Sequence, residues 1–206
     1  PLAKDALLSY VKVDKVVLWI KILVACIPAA VVGVLFDEQL EAMFYNYQTV
    51  SIALIVFGIA FIVIENRNAH QHSRIHSLRN ITIQTALLIG VFQLIAAIFP
   101  GTSRSGATIV GALLLGVSRT VAAEFTFFLA IPVMFGASLL KIVKFGLSFT
   151  MQEATILIVG MVVAFVVSVF VIKFLMSYIK KHDFKVFGWY RIVLGIIVLV
   201  YFMFLG

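Results

Sequence analysis

Pro100-Gly101-Thr102-Ser103-Arg104-Ser105-Gly106-Ala107-Thr108 is a run of mostly small or polar residues around one arginine, set between two apolar runs. What surrounds it places it in a membrane. The chain is 63% hydrophobic and 12% charged, with a mean hydropathy of +1.16, values that a water-soluble globular domain of this length does not reach. An arginine at bilayer depth costs roughly 2.5–3.5 kcal/mol even on the lenient insertion scale, so it persists where an anionic partner or a watery cavity receives it. Four hydroxyls, on Thr102, Ser103, Ser105 and Thr108, stand around it. The motif therefore reads as a chemical site.

Working outward, apolar runs occur at Val16 to Phe36, Val50 to Ile64, Ile83 to Phe99, Val121 to Val143, Ala154 to Met176 and Phe187 to Leu205. Each is long enough, or nearly so, for a hydrocarbon core about 30 Å thick. Barrel strands would be shorter and would alternate apolar with polar residues, so the runs predict an all-α polytopic membrane protein. The net charge of +7 does not indicate nucleic acid, because the basic residues lie mainly in short loops and at helix ends. That distribution orients a membrane protein. The single cysteine, Cys26, lies inside the first run, which excludes a disulfide framework and a thiol metal site and predicts a buried, inert thiol.

Topology follows from charge. The segment from Glu65 to Arg79 has three arginines and one acid, at its edge, so it is expected on the cytoplasmic side. The Asp37 to Glu41 loop then lies outside and the segment before Val16, with Lys4, Lys12 and Lys15, inside. Ala107 to Val117 makes only about 16 Å of helix and cannot cross alone. If the chain enters at Ile83, turns at Pro100 to Gly106 and returns to Arg119, then Lys180, Lys181 and Lys185 are cytoplasmic as well; a full crossing would put them outside. Residues 83–117 are therefore expected to form a re-entrant hairpin within one integral membrane domain spanning 1–206. Irregular backbone at that depth needs protein or water around it.

A helix starting just after Gly106 aims free N–H groups and its positive dipole end at the turn, where they can hold an anion. Gly101 and Gly106 let the turn fold into an N–H concavity. Arg104 adds a planar fork of donors suited to phosphate oxygens, and the hydroxyls add donors or an activated nucleophile. Together they describe a phosphate site.

Carboxylates, which phosphoryl transfer uses as base or metal ligand, are scarce. Of the nine acids only Glu124 lies within an apolar run, near the start of its helix, where the dipole favours a negative charge. His70, His72 and His76 have metal-compatible spacing but read as a solvated basic loop. Lys21, Lys141, Lys173 and Arg191 stand near run ends, placed to snorkel to the headgroups. Trp19, Tyr45, Tyr47, Trp189 and Tyr190 stand where interfacial aromatics belong. Pro28 and Pro132 are expected to kink their helices.

The stretch Phe99-Pro-Gly-Thr-Ser-Arg-Ser-Gly-Ala-Thr108, continued by Gly116-Val-Ser-Arg-Thr-Val-Ala-Ala-Glu-Phe125, resembles the second signature of the bacterial undecaprenyl-diphosphate phosphatase family, also known through bacitracin resistance. The resemblance extends to Val24-Ala-Cys-Ile-Pro-Ala-Ala30 and Phe187-Gly-Trp-Tyr-Arg191. It implies a multi-pass plasma-membrane hydrolase that converts undecaprenyl diphosphate to the monophosphate, recycling the lipid carrier for peptidoglycan synthesis. By the same resemblance Arg104, Ser103 and Ser105 are the candidate catalytic groups. Gly101, Thr102, Gly106, Thr108 and Gln93 are the candidate substrate contacts, and magnesium or calcium is the implied cofactor. A polyprenyl diphosphate in the bilayer is the expected partner, with no nucleic acid and with a homodimer left open.

The family's first signature, a glutamate-rich run ending in Pro-Val-Ser-Ser-Thr-Gly-His, is not in the chain, so an N-terminal truncation is expected, and a fragment that binds diphosphate better than it cleaves it. The spacing of Gly90-Val-Phe-Gln93 and Phe99-Pro100 resembles that missing signature, as in an inverted repeat whose hairpins meet at midplane. A transporter or lipid flippase with a midplane anion site is the alternative, since such proteins also use discontinuous helices.

Overall fold

The computed structural model describes residues 13–69, 73–146 and 150–204, and these are α-helical apart from short turns and one isolated bridge. In chain order the helices are α1 (Val13–Phe44), α2 (Tyr47–Ala69), α3 (Ile83–Ile98), α4 (Arg104–Leu114), α5 (Arg119–Phe145), α6 (Met151–Ile179) and α7 (Lys185–Phe204), with a 3-10 turn at Leu78–Asn80. Five of them, α1, α2, α5, α6 and α7, contain stretches long and apolar enough to cross a membrane, and α3 is a shorter apolar helix. Pro28 and Pro132 lie inside α1 and α5.

One expected loop is absent. Asp37 to Glu41 continues α1, which ends only at Phe44. Glu, Gln, Leu, Ala and Met are good helix formers, and no glycine or proline interrupts them. The chain turns instead at Tyr45 and Asn46, where the Asn46 side chain accepts from the Thr49 amide at 2.9 Å and starts α2.

The hairpin of α3 and α4 is the centre of the fold. Pro100 cannot continue α3, and Phe99 before it is pushed to extended backbone, φ −106° and ψ 103°. At the other end of α4 the chain leaves through a Schellman turn. Gly116 takes φ +80°, its amide donates to Leu113 O at 3.0 Å, and the Val117 amide donates to Ala112 O at 3.0 Å. The segment ahead of α3 then pairs with this exit: the Arg74 and Ile75 amides donate to Gly116 O, and the Ser118 amide donates to Ile75 O at 2.9 Å. The hairpin's entry and exit are thus hydrogen-bonded to each other.

Small residues set how closely the helices approach. A β-carbon at Gly90 would lie 2.2 Å from Ala25 O, so α3 packs directly on α1. In α2 and α7, Gly58 meets Gly188 and Ser51 meets Gly195, an antiparallel contact with a seven-residue repeat on both helices. Residues Gly106 to Leu113 of α4 are all buried, enclosed by α2, α3 and α5. Gly101, at φ +95°, lies against the Val50 carbonyl, so the hairpin tip runs past the middle of α2 toward its Tyr47 end. By contrast α6 packs mainly on α5 and leaves most of its apolar side chains exposed.

Candidate active site

Ser103 caps α4 by accepting from the Gly106 amide at 3.3 Å, and its Oγ lies 3.2 Å from that of Ser105. This geometry requires φ 60° and ψ 115° at Ser103, the one non-glycine residue with positive φ among those described. Such backbone costs about 1–3 kcal/mol and is held only where its surroundings over-determine it, commonly at ligand sites.

Arg104 opens α4 half-buried, and its Nη1 is buried without a hydrogen-bond partner among the described residues. Cys26 of α1 is close enough to interact with it electrostatically; this thiol is half-buried, not fully enclosed as expected.

A second guanidinium reaches the same turn of α4. Arg191 does not snorkel. It points inward from α7 over the Phe61 ring, 4.7 Å from its centroid, and its Nη1 too is buried and unpartnered among the described residues. A β-carbon at Gly106 would lie 2.5 Å from Nη1 and 2.9 Å from Nη2 of Arg191, so the guanidinium rests on the backbone of α4's first turn. Neither Arg104 nor Arg191 forms an ion pair among the described residues. The first turn of α4 thus carries one uncompensated arginine and touches a second, at a helix end that itself favours anions.

The other predicted contacts divide. Gly101 shapes the turn and Gly106 admits Arg191. Thr102 is fully buried, with its hydroxyl turned back to the carbonyls of Phe99 and Ile95, so it closes the end of α3. Thr108 is also buried; it donates toward Arg104 O and Ser105 O and accepts from Thr126 at 3.1 Å, tying α4 to α5. Neither hydroxyl is free for a ligand. Gln93 is 2% exposed on the buried face of α3, and both its amide atoms are unpartnered among the described residues. A carboxamide in that state forgoes about 1–3 kcal/mol unless something meets it.

Several expected roles change. Glu65, which stands at the edge of a basic loop in the sequence, is helical, completely buried, and paired with Arg119 at the start of α5; its Oε2 has no partner among the described residues. Lys21 is buried and donates to Arg79 O at 3.0 Å, so it does not snorkel. Glu124 is the sixth residue of α5, beyond the first turn, and borders a polar cavity with Lys15, Lys21 and Arg79. His70 and His72 lie outside the described residues.

Comparison with known proteins shows the family. Residues 3–197 match the family described as bacitracin resistance protein BacA. A protein named undecaprenyl-diphosphatase 1 from Clostridium acetobutylicum is 70% identical over 194 residues, 94% of this chain and 71% of the relative. Undecaprenyl-diphosphatases from Desulfitobacterium hafniense and Enterococcus faecalis are 69% and 61% identical, each over 93% of this chain and 69% of the relative. With the match running through the hairpin and on to Arg191, the chain belongs to the bacitracin resistance protein BacA family.

Proposed function

We propose that this multi-pass bacterial membrane protein hydrolyses undecaprenyl diphosphate to undecaprenyl phosphate and phosphate, with the diphosphate held at the first turn of α4 between Arg104 and Arg191. Its family and the relatives' shared name support the reaction. The observation that carries the site is that Arg104 opens that turn and the Arg191 guanidinium rests on it, each with a buried Nη1 lacking a partner among the described residues.

Phosphoryl transfer spreads negative charge over the transferred group, so catalysis is mostly positioning and electrostatic stabilisation. Two planar forks can grip two phosphates, whereas the monophosphate product leaves one fork unused. That difference favours substrate over product. Ser103 and Ser105, whose hydroxyls hydrogen-bond only each other and the Gly106 amide among the described residues, supply further donors. Gln93 is a reserve polar contact deeper along α3.

The groups gathered here are guanidiniums, hydroxyls and amides, without a carboxylate. No cluster of three or more His, Cys, Asp or Glu occurs among the described residues. By themselves these groups offer magnesium or calcium no carboxylate ligand.

A re-entrant placement of residues 83–117 is supported by the hydrogen-bonded entry and exit, and by a cavity bordered by Ser73, Ser118 and Lys180, which gathers three basic or polar loops on one side. Arg104→Ala, tested in the full-length parent protein in detergent, should insert normally and lose phosphate release from a polyprenyl diphosphate by at least about a hundredfold. Normal turnover would refute the assignment. Because detergent offers no second compartment, turnover by the unaltered protein also separates hydrolysis from transport.

A further inference from the structure

We propose that the face of the protein opposite the hairpin tip carries a binding site for the headgroup of an anionic phospholipid, separate from the Arg104–Arg191 site. The end of α2, the turn between α4 and α5 and the loop between α6 and α7 line an open cleft of about 630 Å³ there. His76, Ser118, Arg119, Lys180, Lys181 and His182 border it, while neither Arg104 nor Arg191 does.

Charge accounting gives the cavity its sign. Arg119 is offset by Glu65, and the one carboxylate in the wall, Asp183, is bridged to Lys185 at 3.4 Å. Lys180 and Lys181 form no ion pair among the described residues, which leaves two cations. Ser118 begins α5 without a side-chain cap, so its hydroxyl is available to the same ligand. A phosphodiester fits these donors, and basic pockets between helices on the cytoplasmic side bind anionic lipid headgroups.

What makes the ligand a lipid and not free phosphate is the adjoining surface. Ile179 in the cavity wall ends α6, and along α6 Phe174, Phe170 and Val167 are exposed at 69%, 71% and 53%. A headgroup in the cavity would lay its acyl chains along that unpartnered apolar helix. The positive-inside rule puts the same loops in the inner leaflet, where anionic lipids concentrate.

The test is native mass spectrometry of the purified full-length protein, released from nanodiscs of phosphatidylcholine with about one-fifth phosphatidylglycerol. Retained lipid should be enriched in phosphatidylglycerol. Replacing both exposed lysines, Lys180→Gln with Lys181→Gln, should reduce that enrichment about tenfold while leaving hydrolysis in detergent unchanged. Arg67→Gln, on the same face but outside the cavity wall, should leave the enrichment intact. Equal retention of both lipids, an unaltered enrichment in the lysine variant, an equal loss in Arg67→Gln, or displacement by millimolar inorganic phosphate would each overturn the proposal.

Discussion

A β-carbon at position 106 would lie 2.5 Å from Nη1 of Arg191, so Gly106 and Arg191 can touch only because residue 106 has no side chain. The contact joins α7 to the first turn of α4, the turn that Arg104 opens. The Phe61 ring lies under the guanidinium carbon, 4.7 Å from it, and its edge also reaches the Gly106 position.

Gly106→Ala should therefore displace the guanidinium and press on the buried Phe61 ring, whose Cε2 would lie 2.9 Å from the new methyl. Loss of one charge-assisted hydrogen bond, about 1.5–3 kcal/mol, predicts a ten- to hundredfold fall in kcat/KM for the diphosphate. Thermal unfolding in detergent should report a loss of about 1–3 kcal/mol from overpacking Phe61, which Arg191→Lys does not share. Arg191→Lys should fall similarly in kcat/KM, because an ammonium keeps the charge but loses the planar fork and the stacking on Phe61. Full activity in both variants would remove Arg191 from the site.

Thr108 separates donors from supports. Its hydroxyl is committed to Arg104 O, Ser105 O and Thr126. Thr108→Val should lower stability by about 1–3 kcal/mol, since Thr126 is left unpaired, and should leave kcat/KM within about threefold. A large loss of kcat with normal stability would return Thr108 to the substrate contacts.

The membrane-spanning runs and the helix break at the motif are legible in the sequence because apolar composition and the chain-breaking Pro100 and Gly101 act locally. Arg191 was obscured by its position near a run end, where snorkelling is the ordinary reading. A signal was nonetheless present: Gly188, Arg191 and Gly195 share one helix face at i, i+3 and i+7, and that is the face of α7 packed on α2. The seven-residue spacing of Ser51 and Gly58 continues to Glu65, which is buried on the same helix. Thr102 and Thr108 show the converse limit. A hydroxyl beside an arginine looks available until backbone geometry spends it, and the carbonyls that accept these two exist only once α3 has ended and α4 has begun.

Glu65 and Arg119 give an asymmetric prediction. Arg119→Ala leaves a completely buried carboxylate unpaired, which costs about 3–5 kcal/mol. Glu65→Gln leaves Arg119 with water in the adjoining cavity and should cost less. The double variant should recover part of the Arg119→Ala loss, because the stranded charge is gone. Thermal unfolding of the four proteins in detergent measures this, and equal, additive losses would show that the pair contributes nothing specific.

Topology is settled by accessibility. If residues 83–117 enter and leave on one side, Ser73 ahead of α3 and Ser177 near the end of α6 face the same compartment, since an odd number of crossings in the hairpin would separate them. Cys26 is the one cysteine in these 206 residues, and the labelling is done on a background in which it is substituted. Ser73→Cys and Ser177→Cys should both resist a membrane-impermeant maleimide in intact cells and both react once the membrane is opened. Labelling of both from outside would keep the hairpin and invert the protein, contradicting the basic loops at Arg67 and Lys180. Labelling of one alone would make the hairpin a full crossing and move Arg104 out of an enclosed turn, the condition on which the two-guanidinium site depends.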